Sequence, residues 1–438
     1  MDELELQKLA QRAKSGKPYV MVQLKEALEH LPLAKAYELF CQLLGMQQPG
    51  SIYRTRAVSL LNAARQTAKS YVEIEAGGTA YVNRPAKIIG DGNHRILSCT
   101  TRTSFLACFE NAAVTCLSSA IACDGQLLFD FEDWEFDQID DRLILDSRVF
   151  RSDGRDIWCI ADQPAGSDMK LDRAFTLNGC HTRAFGHWMW EYLAKYLAAL
   201  NSGALPPMPV LIDSGMPPQH REALKLILPQ GASIIEVPLR TKVEVGELWC
   251  ASAPIYMPLY EKINEKYRWD IFCSPPWRFA RAMQPFIAAI ETLGPAKPNR
   301  KIYLARPPVS HRSLVNGAAI ENMMRDLGYE VVLPETMDFR QQAVLLREAS
   351  HVIGPEGSAL FLSFFSKPGT RLAILSHPDI EGLATFTAIT DELQLRTSVI
   401  TGPFHEKNEL WPQFSSYTID ETALRHFIQN WDARHHAA

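Results

Sequence analysis

The stretch 351–369, which reads HVIGPEGSALFLSFFSKPG, combines residue types that can bind an anion. A short apolar run meets a turn that contains Gly354 and Gly357, and Ser358 and Ala359 then begin an apolar helix. Glycines let main-chain N–H groups approach a ligand closely, and the N-terminus of a helix favours negative charge. The pattern predicts a phosphate or diphosphate site in this loop.

The elements around this loop predict a parallel sheet that would present it. Upstream, a strand at 300–305 is followed by a helix at 317–327, a strand at 329–334 and a helix that begins after Asp338. Strands that alternate with helices of this length indicate parallel strands, and ligands bind at the carboxyl ends of such strands. We expect four features at that edge: Arg306, Arg312, Glu335 and the Gly354–Ser358 loop.

The charged residues at this edge, Arg306, Arg312 and Glu356, could each bind a ligand or be ordinary surface residues. Arginine carries a planar, permanently charged guanidinium that suits phosphate oxygens, so Arg306 and Arg312 together with the glycine loop favour a phosphate site. Either arginine alone would be an ordinary surface residue. Glu356 would repel a diphosphate, so its side chain should point to a sugar or ribose hydroxyl, or it is a solvated turn residue.

A second stretch, 177–192, could hold a general base. His187 and Glu191 lie four residues apart in a helix that begins near Gly186 and runs to about Leu200, so they share one helix face. A carboxylate beside an imidazole orients it and raises its basicity, which suits proton removal from a hydroxyl nucleophile. The alternative is a histidine that caps a turn, with the neighbouring tryptophans in the core. Spacing alone favours this alternative.

Composition excludes several classes of protein. The chain has 438 residues, enough for two or three domains, and a net charge of −5, which argues against a nucleic-acid partner. We see no signal peptide and no apolar run long enough to span a bilayer.

The nine cysteines form no CxxC pair, which favours buried, reduced thiols in a cytoplasmic protein and no metal site. Motifs for dinucleotides, P-loops, zinc proteases and α/β-hydrolases are missing, and no cofactor is expected.

The changes of pattern along the chain predict an α/β protein with three regions. Residues 1–70 read as a helical extension whose last helix covers 57–70, and residues 71–295 read as a first lobe with a β-rich beginning. Residues 296–438 read as a second, Rossmann-like lobe.

Several motifs in this order resemble glycosyltransferase family 61. They are Gly186-His187-Trp188, Tyr303–Arg306 with Arg312 and Asn316, Gly328–Glu335, and Gly354–Leu360 ahead of Pro368-Gly369. The resemblance covers about residues 100–400. It implies two Rossmann-like lobes in a GT-B fold and inverting transfer from a nucleotide sugar, usually UDP-linked, without a metal in the donor site. Bacterial relatives are associated with surface polysaccharide synthesis, and this chain lacks the membrane anchor that is usual in eukaryotic relatives.

The chain departs from the family pattern at two positions. Histidine often stands in place of Glu356, and aspartate often stands in place of Glu191. The resemblance implies that the second lobe holds the donor through Arg306 and Arg312, with Glu335, Gly354, Gly357, Ser358 and Ala359 around it. It also implies that the first lobe presents a saccharide or glycolipid acceptor, with His187 and Glu191 as the base unit and Glu356 as a second candidate.

Three alternatives stay open at this point. The protein could be a non-catalytic nucleotide-sugar binder or scaffold of the same fold, or another α/β enzyme that acts on a phosphorylated ligand. It could also be an interaction protein in which the N-terminal helices are the active part. A place at the inner face of the membrane and a homodimer also stay open.

Overall fold

The computed structural model describes most of the chain. The described ranges are 3–14, 18–46, 51–83, 86–91, 97–130, 140–141, 146–153, 156–160, 169–239, 241–255, 261–263, 266–267, 275–294, 297–307, 312–379, 383–408 and 415–431. Of the segment that joins Arg306 to Arg312, residues 308–311 lie outside these ranges.

The protein is a mixed α/β fold, as predicted. Its α-helices are α1 Glu3–Ala13, α2 Pro18–Ala27, α3 Leu33–Leu44, α4 Leu60–Thr67, α5 Phe185–His187, α6 Ala194–Asn201, α7 Pro218–Lys225, α8 Pro276–Glu291, α9 Gly317–Asp326, α10 Phe339–Arg347, α11 Leu383–Glu392 and α12 Glu421–Gln429. A π-helical turn, Trp188–Leu193, joins α5 to α6, and among the described residues 3-10 helices span Pro334–Thr336 and Ser358–Phe365.

The strands are β1 Ile52–Ser59, β2 Ser70–Glu75, β3 Ala80–Asn83, β4 Lys87–Ile89, β5 Leu97–Thr100, β6 Ser104–Thr115, β7 Ile121–Cys123, β8 Gln126–Phe129, β9 Asp140–Asp141, β10 Val149–Asp153, β11 Asp156–Ile160, β12 Met169–Thr176, β13 Val210–Asp213, β14 Ile234–Val237, β15 Lys242–Ala251, β16 Glu261–Ile263, β17 Lys266–Tyr267, β18 Arg300–Leu304, β19 Glu330–Val332, β20 Ala349–Pro355, β21 Arg371–Ser376, β22 Arg396–Thr401, β23 Phe404–Glu406 and β24 Ser416–Tyr417. The chain forms two compact units. The first comprises 1–79, 100–217 and 228–273, and the second comprises 80–99, 218–227 and 274–438.

The first unit contains an 11-stranded mixed sheet. Its order is β10-β11-β1-β8-β7-β6-β15-β12-β13-β14, with β2 paired to β6. From β15 to β14 the neighbouring strands are parallel, whereas β6 and β15 are antiparallel. Strands from the β-rich segment and from the following α/β segment therefore belong to one sheet.

The N-terminal helices pack on one part of this first unit. Apolar residues of α1, α2 and α3 form a cluster with Phe150, and Ile52 and Ile160 pack against it. Lys25 of α2 is buried, and its ammonium donates hydrogen bonds to the main-chain oxygens of Asp146 at 3.0 Å and Val149 at 2.6 Å. The helical extension is thus joined to the sheet by both apolar and polar contacts.

The predicted helix at 57–70 is wrong in its first part. Ala57, Val58 and Ser59 belong to strand β1 and pair in parallel with Leu127–Phe129 of β8, and the helix begins only at Leu60. The helix has an N-cap, because the hydroxyl of Ser59 accepts a hydrogen bond from the main-chain N–H of Asn62. Residues 57–59 therefore form a strand because they pair with β8, although their local pattern favours a helix.

The second unit contains a six-stranded parallel sheet in the order β19-β18-β20-β21-β22-β4. Local chemistry sets the ends of its helices. Asp338 caps α10 in a capping box with Gln341, and Gly328, at φ 80°, follows the last turn of α9. Parallel strands place their carboxyl ends at one edge, so the residues after β18, β19, β20 and β21 share that edge.

Candidate functional site

Arg306 joins two loops at the carboxyl edge of the second sheet. Its Nη1 donates a hydrogen bond to the main-chain oxygen of Arg312 at 3.2 Å and to that of Glu356 at 2.9 Å. Its guanidinium also lies against Gly357, where an added Cβ would be 3.5 Å from Nη1. The structure therefore brings Arg306, Arg312 and the glycine loop together, as the sequence predicted.

The segment that carries Arg312 is fixed by a second chain segment. Leu314 forms a parallel bridge with Tyr417, and the side-chain amide of Asn316 donates to the main-chain oxygen of Ile419 at 2.8 Å. Arg312 itself has φ 52°, an uncommon main-chain conformation for a residue with a side chain. Such strain persists where the surroundings hold it, and here the contacts of Leu314 and Asn316 hold the segment that follows Arg312.

The carboxylate of Glu356 turns to the next strand. Its Oε2 accepts a hydrogen bond from the hydroxyl of Ser376 at 2.7 Å and lies 3.9 Å from Nε2 of His377. The ring of His377 stacks on Phe404, with centroids 5.1 Å apart, and is buried. Within the described residues neither of its nitrogens has a hydrogen-bond partner. The carboxylate therefore faces the end of β21, and its orientation relative to a diphosphate stays a prediction.

The other predicted residues of this edge differ in their surroundings. Gly354 is buried, and a Cβ there would lie 3.0 Å from Cβ of Leu304, so it allows close packing of strands. Ser358 is exposed and Ala359 is partly buried at the start of the 3-10 helix, where an α-helix was expected. Glu335 is exposed, and no hydrogen bond or ion pair among the described residues joins it to the arginines.

Arg306 and Arg312 place positive charge at the carboxyl edge of the second sheet. Burial, and next the neighbouring Arg312, hold the pKa of Arg306 below its usual value, although a guanidinium stays charged at neutral pH. Two arginines and main-chain N–H groups beside a glycine loop can stabilise negative charge on phosphate oxygens.

His187 and Glu191 form a close pair in the first unit. Nδ1 of His187 lies 2.5 Å from Oε1 of Glu191, and their side chains are 23% and 14% exposed. Both positions belong to the helical segment that contains the π-helical turn, a feature that is frequent at functional sites. The predicted pairing is therefore present, and Nε2 is the nitrogen that remains to accept a proton.

His181 completes this group, and sequence reasoning did not select it. Its ring stacks on that of His187 with centroids 4.4 Å apart and an angle of 22° between the planes. It is buried, and burial together with the neighbouring His187 holds its pKa well below 6.5. His181 is therefore neutral at neutral pH.

A buried aspartate fixes the loop that carries His181. The carboxylate of Asp213 accepts hydrogen bonds from Asn178 Nδ2 at 2.6 Å and Thr182 Oγ1 at 2.6 Å, and from the main-chain N–H groups of Gly179 at 3.0 Å and Leu117 at 2.7 Å. Burial raises its pKa, and these hydrogen bonds oppose the rise. Both oxygens are satisfied, which indicates a structural role.

The residues that the sequence reasoning missed share a recognisable position. Asp213 ends β13, Asn178 and His181 follow β12, and His377 follows β21. Each lies at or just beyond the carboxyl end of a parallel strand. Of these, Asp213 and His377 lie at the ends of strands that the sequence predicts, whereas Asn178 and His181 follow β12, which the sequence reasoning did not predict.

The described residues contain no cluster of three or more histidine, cysteine, aspartate or glutamate side chains arranged to hold a metal ion. Among them, no helix is both long and apolar enough to cross a membrane.

Fold and site together define an α/β protein in which polar side chains gather at the carboxyl ends of parallel strands in each unit. Residues 185–373 match the model of the family described as Glycosyltransferase 61. Over that range, which is less than half of the chain, the protein is similar to glycosyltransferases of family 61, and the match supports a glycosyltransferase. No curated protein matches the chain. The matched range includes His187, Glu191, Arg306, Arg312 and Glu356.

Proposed function

We propose that the protein transfers a sugar from a UDP-linked donor to a saccharide acceptor with inversion at the anomeric carbon. The observation that carries the proposal is the group of Arg306, Arg312 and the Gly357 loop at the carboxyl edge of a parallel sheet. It lies inside the range that matches the family. We also propose that the two units are the two Rossmann-like lobes of a GT-B fold.

The second unit, with residues 296–438 as its main part, binds the donor. Departure of UDP places negative charge on the diphosphate oxygens, and preorganised positive groups stabilise that charge. Arg306 and Arg312 supply the positive charge, and the main-chain N–H groups that follow Gly357 donate hydrogen bonds to the diphosphate oxygens. In this proposal the arginines fulfil the role that a metal ion has in other nucleotide-sugar sites. Ser358, Ala359 and Glu335 line the same edge.

The first unit presents the acceptor and removes its proton. His187 is the base, because its Nδ1 lies 2.5 Å from Glu191 and its Nε2 remains for the acceptor hydroxyl. Glu191 stabilises the imidazolium that forms when the proton is taken up. The oxygen that loses the proton then attacks the anomeric carbon as the bond to UDP breaks.

Glu356 recognises a hydroxyl of the donor. Its Oε2 is held by Ser376 at 2.7 Å, and within the described residues its Oε1 accepts no hydrogen bond. A carboxylate oxygen of this kind accepts a hydrogen bond from a ribose or sugar hydroxyl without contact to the diphosphate. Glu356 as the base is the second candidate.

The acceptor belongs to surface polysaccharide or glycoconjugate synthesis in this proposal. The reaction takes place in the cytoplasm or at the inner face of the membrane, where nucleotide sugars and a glycolipid acceptor would meet. The net charge of −5 fits a small-molecule donor better than a nucleic acid.

The first test is calorimetric binding of UDP, GDP, CMP and dTDP to the purified protein, with and without EDTA. We expect one nucleotide, UDP, to bind tightly and EDTA to leave its affinity unchanged. Binding that disappears with EDTA would contradict the role of the arginines as the only cations. Absence of binding for all four would contradict the donor site and favour the scaffold alternative.

A further inference from the structure

We propose that His181 is a positioning residue whose ring fixes the plane of His187. The inference rests on the proposed function, in which His187 takes the proton of the acceptor. His181 lies outside the range that matches the family, and no chemical step assigned so far uses it.

The two imidazoles are stacked rather than merely adjacent. Their centroids are 4.4 Å apart and their planes differ by 22°. Glu191 holds His187 at one ring edge through Nδ1 at 2.5 Å, which alone leaves the ring able to tilt about that hydrogen bond. A flat partner against one face removes this freedom, so edge and face contacts together define the direction of Nε2.

The main chain around His181 is held by two residues, Tyr192 and Asp213. Its main-chain N–H donates to the hydroxyl of Tyr192 at 3.3 Å. Asp213 fixes the loop on both sides of it through Gly179 and Thr182. The loop also lies so close to the helix that a Cβ on Gly179 would be 2.2 Å from the Tyr192 hydroxyl. These contacts fix the main chain from which the ring of His181 extends to His187.

Electrostatics keeps the ring of His181 neutral. Two stacked imidazolium ions would repel each other, so only one ring of the pair carries a charge. His181 is 7% exposed, whereas the side chain of His187 is 23% exposed and has a carboxylate beside it. The buried ring remains neutral, and the proton taken from the acceptor stays on the ring next to Glu191.

The other titratable groups around the pair do not change this assignment. Burial raises the pKa of Cys180 and of Tyr192, so both are uncharged at neutral pH. Asp213 accepts hydrogen bonds from three donors in the loop and from the main-chain N–H of Leu117 after β6, and none of these is an imidazole. Within the described part of the chain, Glu191 is the carboxylate that forms a hydrogen bond with His187.

The test compares His181→Phe with His181→Leu. Both fill the buried site with apolar volume, but only phenylalanine keeps a flat ring. The protein is labelled with ¹⁵N-histidine, and the low-field imidazole proton of the His187–Glu191 hydrogen bond, assigned by its loss in His187→Gln, is followed by NMR. Turnover is measured in parallel as UDP release from a mixture of UDP-hexoses and UDP-pentoses, with water as the acceptor.

We expect His181→Phe to keep the proton signal and to retain turnover within about threefold. His181→Leu should broaden the signal and lower turnover about tenfold or more, because misplacement of a catalytic group by a fraction of an ångström is costly. Equal behaviour of the two variants in both measurements would overturn the inference. If His181→Leu does not fold, His181→Met takes its place, since it also fills the site without a flat ring; the same behaviour as His181→Phe would overturn the inference.

The design separates this inference from the proposed function. His187→Ala with full turnover would remove His187 from the base role, while the NMR comparison would still report whether His181 orients it. Loss of turnover in His187→Ala together with an unaffected signal in His181→Leu would leave the proposed function in place and contradict the positioning role.

Discussion

Nη1 of Arg306 donates a hydrogen bond of 2.9 Å to the main-chain oxygen of Glu356, whereas the carboxylate of Glu356 accepts a hydrogen bond of 2.7 Å from Ser376. The arginine and the glutamate are thus neighbours without pairing their charges through their side chains. The positive charge of Arg306 remains for a ligand, and the negative charge of Glu356 is directed to the next strand. This arrangement decides how substitutions at the two positions should differ.

Arg306→Ala and Arg312→Ala should each weaken UDP binding. A hydrogen bond to a charged group contributes about 1.5–3 kcal/mol, which corresponds to a loss of roughly 10- to 100-fold in affinity. Arg306→Ala should also lower the melting temperature, because it removes the donor to two main-chain oxygens. Calorimetry with UDP measures the first effect. The matched control is Arg325→Ala, which removes an exposed arginine of α9 that pairs with Glu321; parental affinity in both site variants would refute the assignment.

Glu356→Gln should strengthen UDP binding and reduce discrimination among nucleotide sugars. The amide keeps the size of the side chain and a hydrogen bond to Ser376 but removes a negative charge near the diphosphate. We expect UDP affinity to rise by a fewfold and turnover to stay above that of His187→Ala. Competition calorimetry with UDP, UDP-glucose and UDP-xylose measures both changes. A fall in UDP affinity, or a turnover as low as that of His187→Ala, would show that Glu356 has another role.

His187→Ala should reduce UDP release about 10²- to 10⁴-fold, the usual contribution of a general base. Affinity for UDP should stay at the parental value, since the base acts on the acceptor. Glu191→Gln should reduce turnover less, because the imidazole remains and only its carboxylate partner at 2.5 Å loses its charge. Glu321→Gln, in a helical pair with the same spacing, is the control. Full activity of His187→Ala would exclude it as the base.

Gly179→Ala should destabilise the first unit and lower turnover. The added Cβ would lie 2.2 Å from the Tyr192 hydroxyl and 2.4 Å from its Cε1, so either the loop or the helix must shift. Overpacking of this kind costs about 1–3 kcal/mol. Thermal unfolding and UDP release measure the two effects. Gly317→Ala, whose Cβ would make only ordinary contacts of 3.9 and 4.0 Å with Leu314, provides the control for a glycine substitution; equal effects of the two would contradict the packing argument.

Lys25 should make the stability of the protein depend on alkaline pH. Burial lowers the pKa of Lys25 to about 8, and Asp146 opposes this shift. Between about pH 8 and the unfolded value of 10.5 the unfolded chain binds more protons than the native chain, so the free energy of unfolding rises with pH. The rise is on the order of 3 kcal/mol across the window.

Lys25→Met is the comparison for this pH dependence. The variant lacks the titrating group, so subtraction of its urea unfolding curves cancels the cysteines, tyrosines and other lysines. It should also be less stable than the parent above pH 10, since two buried main-chain oxygens lose their donor. A difference between the two proteins that does not change from pH 7.5 to 10.5 would show that Lys25 titrates normally.

Local sequence determined several features of this protein. The strand, helix and turn order from 300 to 376, the capping box of Asp338 and the glycine after α9 follow from short-range chemistry, and the structure confirms them. Helical spacing also placed His187 and Glu191 on one helix face, and the structure shows them in contact there. In each case the interacting groups are at most a few residues apart, so a pattern in one segment is sufficient.

Tertiary structure alone decided the rest. Strand β1 replaced a predicted helix because Ala57–Ser59 pairs with Leu127–Phe129, and β4 joined the second sheet through Ser398–Ile400. The stack of His181 on His187 depends on the loop held by Asp213, and the approach of His377 to Glu356 depends on two strands lying side by side. These contacts join residues that are far apart in the sequence. They form only when particular strands pair, and strand pairing depends on the packing of the whole core.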